Sequence, residues 1–545
     1  MNHTSVEIKT TIFPTRIVKT FGNVLAAEDL LIERPVLATL QKIKETRLEK
    51  NGEENPYILL DFGKEIHGGL RIVAESMSGG KKTLALRLTF GESVSEALSS
   101  VGEKGATNDH SPRDFEIVLS KLCNVEYGVT GFRFAKIELL EEGWVDFRSI
   151  VAVARSANVT EKGYFCTNDD LFNRIMDTAV YTCYLNLQDG VIWDGIKRDR
   201  LVWSGDLNNE IMTVLYRYGA VEHIRNSLDL LRDTTPEHVW MNRIPTYSAW
   251  WVYNHITYYR FWRDEAYFAE NVARMNSILR DFDACIDENG EDFERIGTEA
   301  HMPYYLDWPS RHTVDEIPGS MSFVYLMAKT VLDLEMDSLD RAAAASIAEK
   351  LKKYVYAPVV MKQTIALQAI CGNVVPDMKD LMEKGGSQGF STFMSYILFK
   401  GLTLAKSQNA VALAKEYYGG MLSRGATTFW EDFDIDWMEG SGRIDEEPKA
   451  GEKDIHGDFG KYCYLGLRHS FCHGWASGVV GWAYEELLGL KILDAGYNKI
   501  SICPNLTELE WIDAKIPTPH GDILIRAKRG EDPIVTLPDG VELVK

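Results

Sequence analysis

The pattern of hydrophobic residues changes near residue 160, and this change constrains the fold more than any other feature of the chain. Before it, short runs rich in β-branched and aromatic residues are separated by Gly, Asn and Asp, which is typical of strands joined by turns. Several runs alternate apolar and polar residues, so we predict an antiparallel β-sandwich for residues 1–160. The runs are YILLDFG, GGLRIVAES, TLALRLTFGES, DFEIVLS, FRFAKIELL and VDFRSIVAVA.

After residue 160 the apolar residues recur at helical spacing. The first such segment follows Asn168 and Asp169, either of which can cap a helix. Its apolar positions are Leu171, Ile175, Ala179 and Cys183. About a dozen helical segments follow up to about residue 490 with no fixed sequence period, which argues against a repeat array of the ankyrin kind. We therefore predict a double ring of helical hairpins, an (α/α)6 toroid, whose loops at one end form a pocket.

Strand patterns return after residue 491 in KISICPNL, LEWIDAKIPT and GDILIRAKR. This tail is too short to fold comfortably alone, so we expect a small sheet packed on the helices. The predicted fold class is a multidomain α+β protein with a central (α/α)6 toroid, an N-terminal antiparallel β-sandwich and a small C-terminal β-domain. The predicted domains are residues 1–160, 161–490 and 491–545.

The charge of the chain limits its partners. A net charge of −21 opposes binding to a polyanion, because nucleic-acid binders need Lys and Arg patches that displace counterions. We therefore expect no nucleic-acid partner and a neutral or weakly charged small molecule or oligosaccharide as substrate. The 13 Trp and 24 Tyr belong either to large helical cores or to an aromatic platform for a sugar ring.

The cysteines and the N-terminus bear on the compartment. The cysteines are far apart and include no CxxC pair, which predicts buried thiols of a reducing compartment and neither disulfides nor a zinc site. They are Cys123, Cys166, Cys183, Cys285, Cys371, Cys463, Cys472 and Cys503. The N-terminus has no apolar signal region and no run of about 18 apolar residues occurs, so we expect a cytoplasmic protein without a membrane partner. A trimmed secreted or periplasmic form would look the same, and a homo-oligomer stays open.

Two stretches combine carboxylates with tryptophan. The first is DGIKRDRLVWSGD, residues 194–206, and the second is GATTFWEDFDIDWMEGSG, residues 425–442. Either stretch alone could be an acidic helix start. Together they favour a site, because hydrolysis of a glycosidic bond needs two carboxyl groups flanking that bond. The carboxylates of the second stretch are Glu431, Asp432, Asp434, Asp436 and Glu439.

Other motifs in the sequence say less about function. DFDIDW has the spacing of a calcium loop, but Trp437 stands where the turn needs glycine and Arg443 stands at the last ligand position, so we reject a calcium site. His473 in HGWASG is either structural or a partner of a sugar hydroxyl. ESMSGGKKT lies among strands and lacks the Walker spacing, and the chain contains no GxSxG or HExxH.

The first stretch resembles the signature of glycoside hydrolase family 78, the α-L-rhamnosidases, commonly written DCPxRExxGWxGD. MNRIPTYSAWWVYNHITYYR, YYLDWPSR, GATTFWEDFD, SFCHGWASGVVGW and IPTPHGDILI resemble later blocks of that family in the same order. The resemblance covers most of residues 160–545. It implies an (α/α)6 catalytic domain with flanking β-domains, and an inverting hydrolase that releases L-rhamnose without a metal ion or other cofactor.

The resemblance also implies roles for individual residues. Asp199 stands at the position of the family's general acid, a glutamate, and Glu431 stands at the position of its general base. We expect neighbouring carboxylates and partial burial to keep Asp199 protonated. The implied substrate-binding residues are Asp194, Arg198, Trp203, Asp206, Trp250 or Trp251, Asp307, Trp308 and His473.

Three departures from the signature bear on function. Gly195-Ile196 replaces Cys-Pro, Val202 replaces Gly, and Asp199 is one methylene shorter than glutamate. A carboxyl retracted by about 1 Å can lower a rate about a hundredfold unless the backbone or Asp206 compensates. The expected function is hydrolysis of terminal α-L-rhamnosides. The alternatives are another L-sugar or uronate-linked glycoside, with Lys197 and Arg198 binding the carboxylate, or a sugar-binding pseudoenzyme without hydrolysis.

Overall fold

The computed structural model describes residues 7–39, 45–287, 290–293, 300–462 and 464–544. The chain divides into two compact units. The first comprises residues 1–158, 195–200 and 421–473, and the second comprises residues 159–194, 201–420 and 474–545. The domain boundaries at residues 160 and 490 stay a prediction. Among the described residues, no helix has the length and apolar character needed to cross a bilayer.

The first unit is built on an antiparallel sheet, as the alternating runs predict. Its described strands pair in the order β3-β4-β9-β5-β8-β6-β7, with β1 added to β9 and β2 added to β5. The strands are β1 Glu7–Ile12, β2 Arg16–Phe21, β3 Asn23–Leu25, β4 Thr46–Lys50, β5 Tyr57–Met77, β6 Thr83–Gly91, β7 Asp114–Ser120, β8 Cys123–Leu139 and β9 Gly143–Ala157. Each of the six predicted runs falls within or overlaps one of these strands.

Strand β5 organises this sheet because it pairs with both β8 and β9. Breaks in register along β5 accompany a close approach of β8: a Cβ at Gly69 would lie 2.1 Å from the Gly128 carbonyl oxygen. Leu60, Leu70 and Ile72 of β5 are completely buried in the core of this unit. Burial of such side chains is the main source of stability for a sheet of this kind.

Helices dominate the second unit. The first unit adds the short helix α1 Val94–Leu98, and α12 ends beyond the boundary at residue 420. The helices from α2 onward are α2 Asp170–Leu185, α3 Leu207–Arg217, α4 Glu222–Thr234, α5 Pro245–Trp262, α6 Glu265–Cys285, α7 Glu316–Asp333, α8 Arg341–Val355, α9 Lys362–Ile370, α10 Met378–Glu383, α11 Ser395–Leu404, α12 Ala410–Ser423 and α13 Val479–Trp482. Asp169 caps α2 by accepting from the Phe172 nitrogen, whereas the Asn168 side chain accepts from the nitrogen of Glu510.

The helices of the second unit are of two types, those buried on nearly all sides and those buried on one side only. Helix α5 is buried on nearly all sides, including Trp250 and Trp251, which is typical of a helix with neighbours all around it. Helix α8 buries only one side, which includes Ile347 and Leu351. Helix α7 packs against both α5 and α8, so it lies between these two types. The pattern is that of an inner and an outer ring of helices.

Small sheets complete the second unit. Strands β10, β17, β18 and β19 form one sheet, β15, β16 and β20 form another, and β11–β12 and β13–β14 are short hairpins. These strands are β10 Tyr164–Thr167, β11 Leu187–Gln188, β12 Val191–Ile192, β13 Ile286–Asp287, β14 Gly290–Glu291, β15 Leu490–Asp494, β16 Lys499–Ile502, β17 Trp511–Thr518, β18 Gly521–Lys528, β19 Ile534–Thr536 and β20 Glu542–Leu543. The three C-terminal runs correspond to β16, β17 and β18. Seven cysteines are free thiols, and Cys463 lies outside the described residues.

Candidate active site

The first carboxylate-rich stretch, residues 194–206, is divided between the two units. Gly195–Arg200 belongs to the first unit, whereas Asp194 and residues 201–206 belong to the second. The candidate residues therefore form two groups. Arg198, Asp199, Glu431 and His473 lie in the first unit, and the remaining candidates lie in the second.

Strand β8 and the segment around residue 473 fix residues 195–200 within the first unit. Gly195 forms an isolated antiparallel bridge with His473, and Ile196 is completely buried. At Gly131 of β8, a Cβ would lie 2.7 Å from Ile196 Cγ1 and 2.9 Å from the Lys197 nitrogen. Only glycine allows this close approach, so the backbone that carries the two basic residues rests directly on β8.

Arg198 joins the two candidate catalytic carboxyl groups. Its Nη1 donates to Asp199 Oδ1 at 2.8 Å, and its Nη2 donates to Glu431 Oε1. The guanidinium lies 4.6 Å from the ring centroid of Tyr464. Arg198 and Glu431 are almost completely buried, whereas 18% of the Asp199 side chain is exposed. One cation thus holds a buried carboxylate and a more accessible one.

Glu431 is a buried anion. The Ser470 nitrogen donates to its Oε2 at 3.1 Å, and His473 Nδ1 lies 3.8 Å from its Oε1. Burial alone would raise the pKa of Glu431, but the charges of Arg198, His473 and His469, together with the Arg198 hydrogen bond, lower that pKa to about 2. Glu431 is therefore ionised at neutral pH, as a proton acceptor must be.

Asp199 is held in an unusual backbone conformation. Its φ is 58°, in the left-handed region that aspartate tolerates better than most residues. Its backbone nitrogen donates to His110 Nδ1 at 2.7 Å, and the same ring nitrogen lies 3.2 Å from Asp199 Oδ1. The contacts of its carboxyl among the described residues are thus an arginine and a histidine, not the neighbouring carboxylates that the sequence led us to expect.

Lys197 belongs to a buried ion cluster that sequence reasoning missed. Its Nζ lies 2.9 Å from Glu92 Oε2 and donates to Glu96 Oε1 at 3.1 Å. It also donates to the carbonyls of Leu467 and His469, at 3.1 and 2.6 Å. The available signal was the SVSE sequence, a capping-box pattern that places Glu96 at the start of α1.

The ion cluster is linked to the candidate catalytic carboxylate through one segment of backbone. Glu92 Oε2 accepts from the Phe471 nitrogen at 2.7 Å, and Glu92 Oε1 accepts from Ser470 Oγ at 3.3 Å. Ser470 in turn makes two hydrogen bonds with Glu431: its carbonyl accepts from the Glu431 nitrogen at 3.0 Å, and its nitrogen donates to Glu431 Oε2 at 3.1 Å. Lys197 and Glu92 therefore brace the segment around Ser470, which positions Glu431.

Glu92, Glu96 and His456 lie close enough together to suggest a metal site. Protein groups already serve this cluster, however. The Lys197 ammonium contacts both carboxylates, and the two ring nitrogens of His456 hydrogen-bond Ser93 Oγ at 2.7 Å and the His469 carbonyl at 3.0 Å. This donor set fits an internal ion pair better than a cation site.

In the second unit, Asp194 and Asp206 are both buried. Asp194 Oδ1 accepts from the Leu201 nitrogen at 2.9 Å, which shapes the turn between them. Asp206 Oδ1 accepts from the Tyr247 hydroxyl at 3.3 Å. Glu210, one helical turn after Asp206, was not predicted; burial raises its pKa well above the usual range, and the charges of Asp206 and Asp194 raise it further.

Two predicted tryptophans belong to a row of aromatic rings in the second unit. Trp203 meets Tyr247 at 6.0 Å, Tyr247 meets Tyr305 at 5.8 Å, and Tyr305 meets Trp308 at 5.3 Å between ring centroids. Trp203 and Trp308 are half-buried, so each keeps accessible surface. Tyr247 and Tyr305 were not predicted, because an isolated tyrosine in a helix or loop gives no sequence signal.

The structure buries Trp250, Trp251 and Asp307 more deeply than the two half-buried tryptophans. Trp250 packs on Phe323 with ring centroids 3.8 Å apart, and Trp251 is completely buried with its Nε1 donating to the Leu228 carbonyl. These contacts are those of helix packing, and a role in sugar binding stays a prediction for both. Asp307 accepts from Ser391 Oγ at 2.5 Å, and burial raises its pKa to about 7.

Comparison with known proteins places this architecture. Residues 160–357 match the family described as the bacterial α-L-rhamnosidase six-hairpin glycosidase domain. The family 78 rhamnosidase of Bacillus sp. GL1 is similar with a TM-score of 0.69 and 18% identity, over 94% of this chain and 56% of that one. A rhamnosidase from Klebsiella oxytoca, solved with rhamnose bound, has a TM-score of 0.66 and 17% identity, over 88% of this chain and 96% of that one.

One curated relative is the α-L-rhamnosidase of Formosa agariphila, 23% identical over 209 residues. The matched region is 36% of this chain and 21% of that relative, so the chain matches only about a fifth of its length. The fold is thus a multidomain α+β glycosidase fold with a helical toroid and β-domains, as predicted. The match over residues 160–357 and the fold shared with rhamnosidases confirm the resemblance to glycoside hydrolase family 78.

Proposed function

We propose that this protein is a glycosidase that hydrolyses terminal α-L-rhamnosides, with Glu431 as general base and Asp199 as general acid. The observation that carries the proposal is the Arg198 guanidinium, which hydrogen-bonds both carboxyl groups within one unit. Hydrolysis of a glycosidic bond needs two carboxyl groups at a fixed separation with different protonation states. A rigid, bidentate cation is well suited to set such a separation.

Glu431 has the properties of the base. It is buried and ionised, and Arg198 and Ser470 hold it in one orientation. A carboxylate with a pKa of about 2 is a weak base. A sugar hydroxyl that draws one N–H of Arg198 away would weaken the attraction that lowers this pKa, and Glu431 would become a stronger base when substrate binds.

The accessibility of Asp199 and its distance from Glu431 suit a general acid. Asp199 is the more accessible of the two carboxyl groups, so a glycosidic oxygen can approach it. Because each carboxyl binds one nitrogen of the same guanidinium, the nearest oxygens of the two residues can be no more than about 8 Å apart. This limit is compatible with the separation of about 6.5–9.5 Å used by inverting enzymes, and inversion is the outcome we propose.

For the second unit we propose Trp203 and Trp308 as contacts for the apolar face of the sugar, and Asp194, Asp206 and Asp307 as partners of hydroxyl groups. Half-burial leaves the two indoles accessible, and an aromatic face suits the C–H face of a pyranose. In the first unit, Arg198 and His473 are the proposed hydroxyl partners. No cofactor or metal ion enters this scheme.

One observation favours sugar binding without hydrolysis as a second candidate function. Asp199 is short, and its carboxyl is already held by Arg198. The uronate-linked alternative has less support, because its two proposed cations are engaged. Lys197 is surrounded by two carboxylates and two carbonyls, and Arg198 binds Asp199 and Glu431.

The test uses p-nitrophenyl α-L-rhamnoside with the wild-type protein and Glu431→Gln. The proposal expects turnover by the wild type and a loss of about a hundredfold or more in kcat for the variant, since a positioned base contributes on that order. Equal activity of the two proteins would show that Glu431 is not the base. Saturable binding of L-rhamnose by both proteins, without turnover by either, would establish the second candidate.

A further inference from the structure

The segment between α1 and β7 in the first unit, residues 99–113, contains a histidine that contacts Asp199 and that the proposed mechanism does not use. His110 Nδ1 accepts from the Asp199 backbone nitrogen at 2.7 Å and lies 3.2 Å from Asp199 Oδ1. The His110 side chain is 38% exposed, so it can be replaced without opening the core of the unit. Its place beside the candidate acid therefore has a role that substitution can isolate.

A single ring atom of His110 fixes both ends of Asp199. A backbone N–H can only donate, so Nδ1 is an acceptor and the ring proton of neutral His110 lies on Nε2. The same atom lies beside the carboxyl oxygen, so it restricts the backbone and the side-chain rotamer of Asp199 together. From another direction, Asp199 Oδ1 accepts from Arg198 Nη1 at 2.8 Å. The carboxyl is thus in contact with an imidazole and a guanidinium.

The backbone at this point needs such support. Asp199 and Arg200 are consecutive residues in the left-handed region, with φ of 58° and 56°. Non-glycine residues are unfavourable there and persist only where surrounding contacts hold them. Arg200 is held by its own side chain, whose Nε donates to the Ile196 carbonyl at 3.1 Å and whose Nη2 donates to the Val129 carbonyl at 2.7 Å. Asp199 is held through its backbone nitrogen, and the acceptor is His110.

The segment that carries His110 is itself anchored by buried groups. Ser111, the next residue, is buried, and its Oγ donates to the Lys197 carbonyl at 2.9 Å. Arg113 is also buried and donates to three backbone carbonyls of residues 90–99. Two successive side chains thus bind the backbone on either side of the candidate site's arginine. His110 is presented to Asp199 from a fixed position.

We propose that His110 is the positioning residue of Asp199: it holds the left-handed backbone and the carboxyl of this residue against Arg198, so that an aspartate can serve where the family 78 signature has a glutamate. The inference rests on the proposed role of Asp199 as general acid, and it deepens that role. A shorter side chain has fewer rotatable bonds, so the place of its carboxyl depends more directly on the backbone. A displacement of about 1 Å can lower a rate about a hundredfold.

The test compares His110→Gly with His110→Asn in the hydrolysis of methyl α-L-rhamnoside and p-nitrophenyl α-L-rhamnoside. Glycine and asparagine both tolerate the φ of 65° at this position, so neither variant adds backbone strain. Asparagine Oδ1 can accept from the Asp199 nitrogen in place of Nδ1, whereas glycine removes the acceptor. His238→Gly is the matched control in the second unit, because His238 has a φ of 61°, is 61% exposed and places its Nδ1 2.7 Å from Asp281 Oδ1.

The proposal expects His110→Gly to lower kcat for methyl α-L-rhamnoside about tenfold or more, because an alkoxide needs a proton from Asp199 in order to leave. The loss for p-nitrophenyl α-L-rhamnoside should be smaller, since p-nitrophenolate leaves without a proton, and KM should change less than kcat. His110→Asn should recover most of the lost rate, and His238→Gly should match the wild type. In the Asp199→Asn background, His110→Gly should cause no further loss, because the group through which it acts is gone.

Four results would overturn the inference while leaving the proposed function standing. These are wild-type activity in His110→Gly, equal losses for the two substrates, a loss that His110→Asn does not reduce, and the same loss in His238→Gly. Failure of the proposed function is a different observation: the wild type then hydrolyses neither glycoside, or Asp199→Asn slows both equally. In that case the positioning role of His110 is refuted together with the role of Asp199.

Discussion

Replacing Lys197 with methionine tests whether the buried ion cluster stabilises the first unit. Lys197, Glu92 and Glu96 are all at least nine-tenths buried, with the ammonium about 3 Å from both carboxylates. Methionine keeps most of the volume and removes the charge, which leaves two buried carboxyl groups without their cation. Breaking a buried pair in this way costs about 3–5 kcal/mol.

The expected effect can be converted to a melting temperature. The first unit contains roughly 220 residues, and for domains of that size each kcal/mol shifts the melting temperature by about 2–4 °C. Lys197→Met should therefore lower the melting temperature of this unit by about 6–20 °C in a calorimetric scan. Lys350→Met is the matched control, because Lys350 bonds Asp283 at 2.7 Å but the pair is about one-third exposed. Exposed pairs contribute about 0–1 kcal/mol, so the control should shift by only a few degrees at most.

The effect should also depend on pH with a definite sign. Burial raises the pKa of Glu92 from 4.5 to about 7, while Lys197 holds it down. A carboxyl with a raised folded-state pKa adds stability below its unfolded pKa and loses that contribution as pH rises through the folded value. Without Lys197 the pKa of Glu92 rises further, so the loss continues above about pH 7 and the destabilisation grows toward alkaline pH.

Two results would refute this reasoning. One is a shift for Lys197→Met no larger than that of Lys350→Met. The other is a destabilisation that does not increase from about pH 6 to about pH 8.5. A triple variant with Glu92→Gln and Glu96→Gln added to Lys197→Met should recover stability at alkaline pH, because no buried charge is then left without a partner.

Three further predictions follow from the same geometry. Gly131→Ala should lower both the melting temperature and kcat, because its Cβ would lie 2.7 Å from Ile196 Cγ1, whereas Gly52→Ala, with nothing within 4 Å, should change neither; equal effects would contradict the account. The lowered pKa of Glu431 predicts about 3 kcal/mol of stability that is present above about pH 4.5 and is lost as pH falls toward about 2. The difference in melting temperature between wild type and Glu431→Gln should therefore narrow over that range, and a constant difference would disprove the prediction. Asp199→Asn should slow hydrolysis of an alkyl α-L-rhamnoside about a hundredfold or more but affect p-nitrophenyl α-L-rhamnoside much less, because p-nitrophenolate leaves without a proton; equal losses would exclude Asp199 as the acid.

The sequence was sufficient for the elements of the fold, because their signals are local. Alternation of apolar and polar residues predicted the strands that became β5 to β9, and Asp169, one of the two predicted caps, caps α2. Close approaches of backbone could not be predicted. The position of Gly69 against Gly128 depends on how two distant strands pair, which no local pattern encodes.

The candidate site was predictable where a motif marks it. Arg198, Asp199 and Glu431 come together in one unit although more than two hundred residues separate the last from the others. Glu92 and Tyr464 were missed because an isolated glutamate or tyrosine has no distinguishing sequence context. The capping-box pattern places Glu96 at the start of α1, but its contact with Lys197 arises only through tertiary folding. Trp251 shows the opposite case. It stands at a motif position that implies sugar binding, but its indole is buried and hydrogen-bonded within the helices.

The central claim is that Glu431 and Asp199 flank the anomeric carbon of a rhamnose unit. A crystal structure of the wild-type protein soaked with L-rhamnose tests it most directly. The account predicts that the anomeric carbon lies between the two carboxyl groups, about 6.5–9.5 Å apart, with Glu431 on the face opposite the leaving oxygen. Rhamnose bound with its anomeric carbon away from both carboxyl groups, or a carboxyl separation of about 5 Å, would contradict it.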